Sequence, residues 1–147
     1  MKATNQTNKF QVSVDYLTEY SGVKGAVIID REGLVVSTSP RDGVDSELYG
    51  AIGLNLAEIV DRNLAKLIDP GCEFLSVKTG KDWITVARTS IFYLIVLADR
   101  KADDLINVRI ARSLDMISSH MKERYPALLS LESAERKSVK SVEATHV

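Results

Sequence analysis

The sequence predicts an α+β fold in which helices cover both faces of one antiparallel sheet. Three observations predict it. Apolar spacing alternates between helix-like and strand-like stretches in the order helix, strand, strand, helix, strand, strand, strand, helix. The links between neighbouring strands are short turns, which enforce antiparallel pairing. The run Ile91-Phe-Tyr-Leu-Ile-Val-Leu97 is apolar at every position. Such a strand has no polar face for water, so it belongs at the centre of a sheet covered on both sides, a three-layer arrangement.

Residues 1–8 are polar and are expected to form a flexible arm. Helical spacing begins at Lys9: Phe10, Val14 and Leu17 share one stripe, Val12, Tyr16 and Tyr20 lie near it, and Gly22 is placed to end the helix. Val23–Asp30 is rich in β-branched residues and predicts a strand. Asp30-Arg31-Glu32-Gly33 is a turn, opened by Asp and closed near a Gly that accepts positive φ. Leu34–Ser37 returns as the second strand of this hairpin, and Pro40–Gly43 forms a polar connection.

Asp45 and Ser46 both suit the cap of a second helix, predicted over 46–68 and stopped before Pro70-Gly71. Its apolar set comprises Leu48, Tyr49, Ile52, Leu56, Ile59, Val60, Leu64, Leu67 and Ile68, while Ala51, Gly53 and Ala57 are small. That arc is wider than one contact can bury. Two burial surfaces are expected, one against the chain's own sheet and one against a partner. Cys72–Lys78 and Trp83–Arg88 follow as strands around Thr79-Gly80-Lys81-Asp82, and Thr89-Ser90 turns into the central strand. Asp103 and Asp104 can cap a last helix over 104–124 with a stripe of Ile106, Ile110, Leu114, Ile117 and Met121. Pro126 ends it. Residues 126–147, in which Leu128, Leu129 and Leu131 precede a predominantly polar stretch from Glu132, are expected to be a mobile tail after a domain spanning 9–125.

Composition excludes several classes. A net charge of −1 over 147 residues gives no global field favouring nucleic acid or an anionic membrane. Cys72 is the sole cysteine, which forbids an intrachain disulfide and suits a reducing compartment. The N-terminus lacks the apolar core of a signal peptide, and the longest apolar run, Ile91–Ala98, is far short of the roughly 20 residues a membrane helix needs. A soluble, cytoplasmic protein without membrane insertion is expected.

Two stretches then carry a family likeness. Gly22-Val-Lys-Gly-Ala-Val-Ile-Ile-Asp-Arg-Glu-Gly-Leu-Val-Val-Ser37 resembles the first hairpin of the Roadblock/dynein light-chain family, with its Gly-Val start and Asp-x-x-Gly turn. The central strand leading through Asp99 into Leu105-Ile-Asn-Val-Arg-Ile-Ala-Arg112 is similar to the entry of the last helix in bacterial and archaeal MglB-type members. The likeness covers about residues 10–124. It implies a five-stranded antiparallel sheet with one long helix on one face and two on the other. It also implies a homodimer in which third strands pair edge to edge and second helices lie side by side. The interface residues would be Ile52, Leu56, Ile59, Phe74, Leu75 and Val77. An apolar third strand left unpaired would be an aggregation hazard, which self-pairing removes.

Other candidate chemistries are weak. Thr79-Gly80-Lys81-Asp82 is not a phosphate loop, because Leu75 stands where the first Gly is required and Asp82 where Ser or Thr must hold Mg²⁺. His120, His146 and Cys72 show no metal-ligand spacing, and His120 is expected to be an exposed helix residue. Cys72 is expected to be a packed, inert thiol. Asp99, Asp103 and Asp104 suit capping better than acid–base catalysis. Arg88, Arg109 and Arg112 are expected on a solvated face, without the aromatic interleaving that single strands of nucleic acid need. The polar side of the second helix, Glu47, Asn55, Glu58, Arg62 and Lys66, has a solvated surface as its simplest explanation. The resemblance makes it the face offered to the switch regions of a small Ras-like GTPase.

The expectation is therefore a homodimeric regulator of such a GTPase, acting on hydrolysis or exchange, with no catalytic residues and no cofactor. The alternative is a non-catalytic scaffold or adaptor subunit of a larger assembly, as in dynein-type members. A small-molecule sensor is the weakest possibility, since the apolar positions contain no convergent polar group.

Overall fold

The computed structural model describes residues 8–41, 43–69, 71–89, 91–124 and 126. The elements are α1 (Lys9–Thr18), β1 (Val23–Asp30), β2 (Val35–Pro40), α2 (Ser46–Leu64), β3 (Phe74–Lys78), β4 (Asp82–Thr89), β5 (Phe92–Asp99) and α3 (Leu105–Arg124). The strands form one five-stranded sheet in the order β2-β1-β5-β4-β3, with every pairing antiparallel. The expected architecture is the one observed. The polar tail and the arm before Asn8 lie outside the described residues; Asn8 itself caps α1, its Oδ1 accepting from the N–H groups of Phe10 and Gln11.

The uniformly apolar β5 is central and pairs with β1 and β4 along its whole length. Its alternate residues feed two separate cores. Leu94, Val96 and Ala98 join Phe10, Val14 and Leu17 of α1 and Ile106, Ile110, Ile117 and Met121 of α3. Tyr93 and Ile95 join Val27, Ile29 and Val86 beneath Tyr49 and Ala57 of α2. One helix thus lies on one face and two on the other.

The paired helices are stitched at both ends. Ser113 Oγ donates to the Ser13 carbonyl at 3.1 Å where α1 and α3 cross. Arg109 donates to the Tyr16 carbonyl at 2.8 Å. Its guanidinium lies 4.5 Å from the Tyr16 ring centroid and 5.0 Å from that of Tyr20, whose hydroxyl bonds Asp103. Lys9 meets Glu123 at 2.8 Å at the other end, and this bond lowers the Glu123 pKa. Arg109 is therefore not on the solvated face expected for it; it is a half-buried clamp between helices.

The second layer depends on close approach. Tyr49, Gly50, Gly53 and Ala57 form the buried face of α2, and three of these four are small. A Cβ at Gly53 would stand 2.8 Å from Ile95 Cγ1 and 3.0 Å from Cγ2, so no single rotamer of this buried, β-branched side chain clears it. At Gly50 the nearest atom, Ile29 Cγ2, would be at 3.3 Å.

Several boundaries differ from expectation for identifiable reasons. β2 runs on to Pro40 because it is an edge strand, where a missing N–H is tolerated. α2 ends at Leu64, short of 68; the Lys66 and Leu67 N–H groups reach back only to the Asn63 and Leu64 carbonyls, and the chain tightens into a turn. β3 starts at Phe74, not Cys72, because the Asp61 carboxylate takes the N–H groups of Gly71 and Cys72. Cys72 is half-buried in that loop. His120 is buried, at 6% exposure, instead of exposed. Its ring stands edge-on to Phe10 with centroids 4.6 Å apart.

Two outcomes follow. Gly53→Ala improves intrinsic helix propensity by about 1 kcal/mol, yet overpacking against Ile95 should outweigh it and leave a net loss of about 1–2 kcal/mol; Gly50→Ala should cost less. Urea unfolding of both variants checks this. Burial, aided by Arg124 and Lys9, lowers the His120 pKa. The unfolded chain therefore takes up the proton first. Stability should be complete above the ordinary histidine pKa and decline as pH falls through and below it. Unfolding midpoints of the wild type and His120→Gln between pH 7.5 and 5 should converge in slope only if this histidine is not the cause.

Candidate partner-binding surface

The sheet has two edges, and they are not equivalent. β2 is blunted along its length. Val36 sits in a bulge, where the pairing steps from Ile28↔Ser37 to Ile29↔Val35. Gln11 Nε2 of α1 donates to the Thr38 carbonyl at 2.9 Å, Thr18 bonds Ser39, and Pro40 offers no N–H. Among the described residues, β3 has none of these guards. It pairs in uninterrupted register with β4, from Phe74↔Ala87 to Lys78↔Trp83. Arg88 N–H donates to the Glu73 carbonyl and Thr79 N–H to the Asp82 carbonyl. Odd-numbered residues thus bond β4, so the N–H and C=O groups of Phe74, Ser76 and Lys78 point away from the sheet.

Side chains on this strand alternate. Leu75 packs with the α2-side core, as does Ile84 across from Val77. Phe74, Ser76 and Lys78 lie on the α1/α3 side opposite Ala87, Thr85 and Trp83. Trp83 Nε1 donates to Ser76 Oγ, and the Lys78 ammonium sits 4.3 Å above the Trp83 ring. Phe74 is 49% exposed.

α2 divides into three sectors. The Gly50, Gly53 and Ala57 face meets the sheet. Leu54, on one flank, lies against the Gly33 turn between β1 and β2. At about 100° per residue, Ile52, Leu56 and Ile59 fall on the other flank, toward the β3 side. Ile52 is 45% exposed and Ile59 42%, with Leu56 half-buried. Leu48 extends the flank by one turn at 59% exposure, and was missed as a site residue although it stands four residues before Ile52. Glu47, Asn55, Glu58 and Arg62 are exposed on the outward sector, and Lys66 is exposed just beyond the helix end. The structure therefore brings the expected interface residues Ile52, Leu56, Ile59, Phe74, Leu75 and Val77 to one side of the molecule.

The remaining candidates have local structural uses. Thr79–Asp82 is a hairpin turn closed by its own hydrogen bonds. Asp103 caps α3 at Leu105, and Asp99 accepts from the Lys101 N–H. Among the described residues, no cluster of His, Cys, Asp or Glu could hold a metal ion, and no helix is long and apolar enough to cross a membrane.

This fold and this surface define a small α+β module with an unguarded sheet edge beside an apolar helix flank. The chain belongs to the Roadblock/LC7 domain family, whose model matches residues 9–98. It is 29% identical over 106 residues to an uncharacterised protein of Methanocaldococcus jannaschii, covering 70% of this chain and 88% of that one. Its fold is similar to that of Myxococcus xanthus MglB, with a TM-score of 0.72 at 16% identity over 80% of this chain and 98% of MglB. It is likewise similar to a Roadblock/LC7 domain from Streptomyces avermitilis, with a TM-score of 0.67 at 18% identity over 76% and 97% of the two chains. At these identities the solved structures speak for the fold alone.

Proposed function

We propose that the protein is a homodimeric, non-catalytic regulator of a small Ras-like GTPase in the cytoplasm. The observation that carries the dimer is the coincidence, on one side of the molecule, of the free β3 edge and the exposed Leu48, Ile52 and Ile59 flank. Pairing across both would extend the sheet and set two α2 helices side by side. Their outward sectors would then form one platform carrying Glu47, Asn55, Glu58, Arg62 and Lys66 from each copy. Membership of the Roadblock/LC7 family and the MglB-like fold support a GTPase as the partner of that platform.

The protein would act by selection. Docking on the switch regions would favour the conformation in which the GTPase's own groups reach the phosphate, with no arginine finger from this chain. Moving a switch from 1:99 to 99:1 takes about 5.5 kcal/mol of differential binding, which a few anchors on a rigid platform can supply.

Ile52→Glu and Ile59→Glu alter half-exposed positions, so each should change the stability of the isolated subunit by less than about 1 kcal/mol. Each should nevertheless shift the mass in sedimentation velocity from dimer to monomer. For the partner, GTP turnover and nucleotide release by a small Ras-like GTPase are measured with and without the wild-type protein. A change in either rate, lost with Glu58→Lys/Arg62→Glu, is the expected result. Binding that ignores the bound nucleotide and changes neither rate would overturn regulation and favour an adaptor.

A further inference from the structure

We infer that the seam between α1 and α3, on the face opposite the α2 platform, seats the chain's own C-terminal segment, with Leu129 and Leu131 in the groove beside Val12 and Met116 and Glu135 at Arg112. The seat is formed within one copy and needs neither a dimer nor a GTPase.

Lys9, Val12, Asp115, Met116 and Ser119 line an open groove of about 420 Å³ with mostly apolar walls. Beneath it the helices touch, and Ser13 and Ser113 are fully buried. Val12 nevertheless stays 43% exposed, and Met116 is half-buried. Arg112 lies one turn before Met116, on the same side of α3. It is exposed and forms no ion pair among the described residues, whereas Lys9 is engaged by Glu123. From the end of α3 toward its start, the seam thus offers an apolar stretch and then a cation without a carboxylate.

The chain supplies a matching strip from the point where the groove ends. Residues 127–147 lie outside the described residues; they depart from Pro126, just past the Lys9–Glu123 end of the seam. Met116 stands ten residues before Pro126, about 15 Å along a helix. Five extended residues, from Pro126 to Leu131, reach up to about 17 Å. Leu131 is thus the first apolar side chain that can lie level with Met116 and Val12, with Leu129 nearer Ser119. In an extended segment every second side chain shares a face, so Leu129, Leu131, Ser133 and Glu135 turn to the helices together. Two leucines then meet the apolar stretch, and the glutamate follows toward Arg112. Residues 127–135 carry Glu132 and Glu135 and no base, so the segment's charge complements the arginine. Residues 1–7 enter at the same end but offer only Met1 and Ala3 as apolar side chains, which makes them the poorer occupant.

The test is intramolecular disulfide formation in the full chain, in a Cys72→Ser background, at protein concentrations low enough that bonding between copies is slow. Leu131→Cys is paired either with Val12→Cys or with Ser118→Cys. Ser118 is two residues beyond Met116 and faces the opposite flank of α3 at nearly the same height, so an unengaged segment would reach both positions alike. Val12 and Ser118 both lie outside the buried cores, so the variants should fold. The Val12 pair should close at least tenfold faster. Arg112→Glu should slow that closure at least threefold, and adding Glu135→Arg should restore it, a reversal that nearness alone does not produce. Equal rates at positions 12 and 118, indifference to the charge exchange, or a covalent dimer as the main product would each overturn the seat. Because the readout stays within one copy, any of these results would leave the dimer and GTPase proposals as they stand.

Discussion

The contact on which the outer half of the molecule depends is that between Gly53 and Ile95. A helix normally stands off a sheet by the thickness of its side chains. Here the sheet supplies most of that thickness through Val27, Ile29 and Ile95, and beyond Tyr49 at its first turns α2 contributes only Gly50, Gly53 and Ala57. The helix therefore sits low, and few of its large residues are needed underneath. Leu48, Ile52 and Ile59 are displaced sideways and remain half-exposed. The apolar flank follows from the small residues that face the core, so these two features of the sequence are one design seen from two sides.

The opposite layer is built to be closed. α1 and α3 share a deep core, and polar clamps fasten them at the Arg109–Tyr16 and Lys9–Glu123 ends. The same α1 reaches over the sheet edge and occupies the Thr38 carbonyl of β2 through Gln11. Sealing one edge in this way leaves β3, among the described residues, as the unguarded strand at the sheet margin. Exposed edges are hazards that proteins generally suppress, and the contrast between a bulged, capped, proline-ended β2 and an uninterrupted β3 gives the subunit a defined polarity: a finished side and an unfinished one.

Most of this was legible in the sequence because it rests on periodicity and turn chemistry. β1 appears with both ends as expected, since Gly22 and the Asp30–Gly33 turn punctuate it, and the lack of any polar residue in Ile91–Leu97 placed β5 at the centre. The surplus arc of α2 was visible too, and the exposed flank corresponds to it. What was not legible are features set by tertiary neighbours. His120 has a polar residue's identity at a position that α1 happens to cover with Phe10. Arg109 appears solvated until Tyr16 of α1 and Tyr20 of the turn after it arrive from some ninety residues earlier. The late start of β3 follows from Asp61 claiming two loop N–H groups, a bond across ten and eleven residues that no local pattern announces. The edge position of β3 likewise could not be read from its own residues, because it is set by the order in which the strands assemble.

A regulator without catalytic groups, as proposed here, has only differential binding with which to act. A surface that deforms to fit both states of its partner binds both equally and shifts nothing. Rigidity is therefore the property such a platform must have. α2 meets that need unusually well for a helix that must also remain accessible: Asp45 fixes its first turn through the Leu48 N–H, the Asp61 carboxylate ties its last turn to the following loop, and the Gly53–Ile95 contact denies it room to settle further. Pairing two such helices across a continuous sheet would remove the remaining freedom, hinge motion between subunits, because backbone hydrogen bonds along β3 resist shear far better than side-chain packing alone. On this view the strand edge and the helix flank have different tasks. The edge sets the alignment of the two copies, and the flank determines the spacing of the platform that their outward faces present.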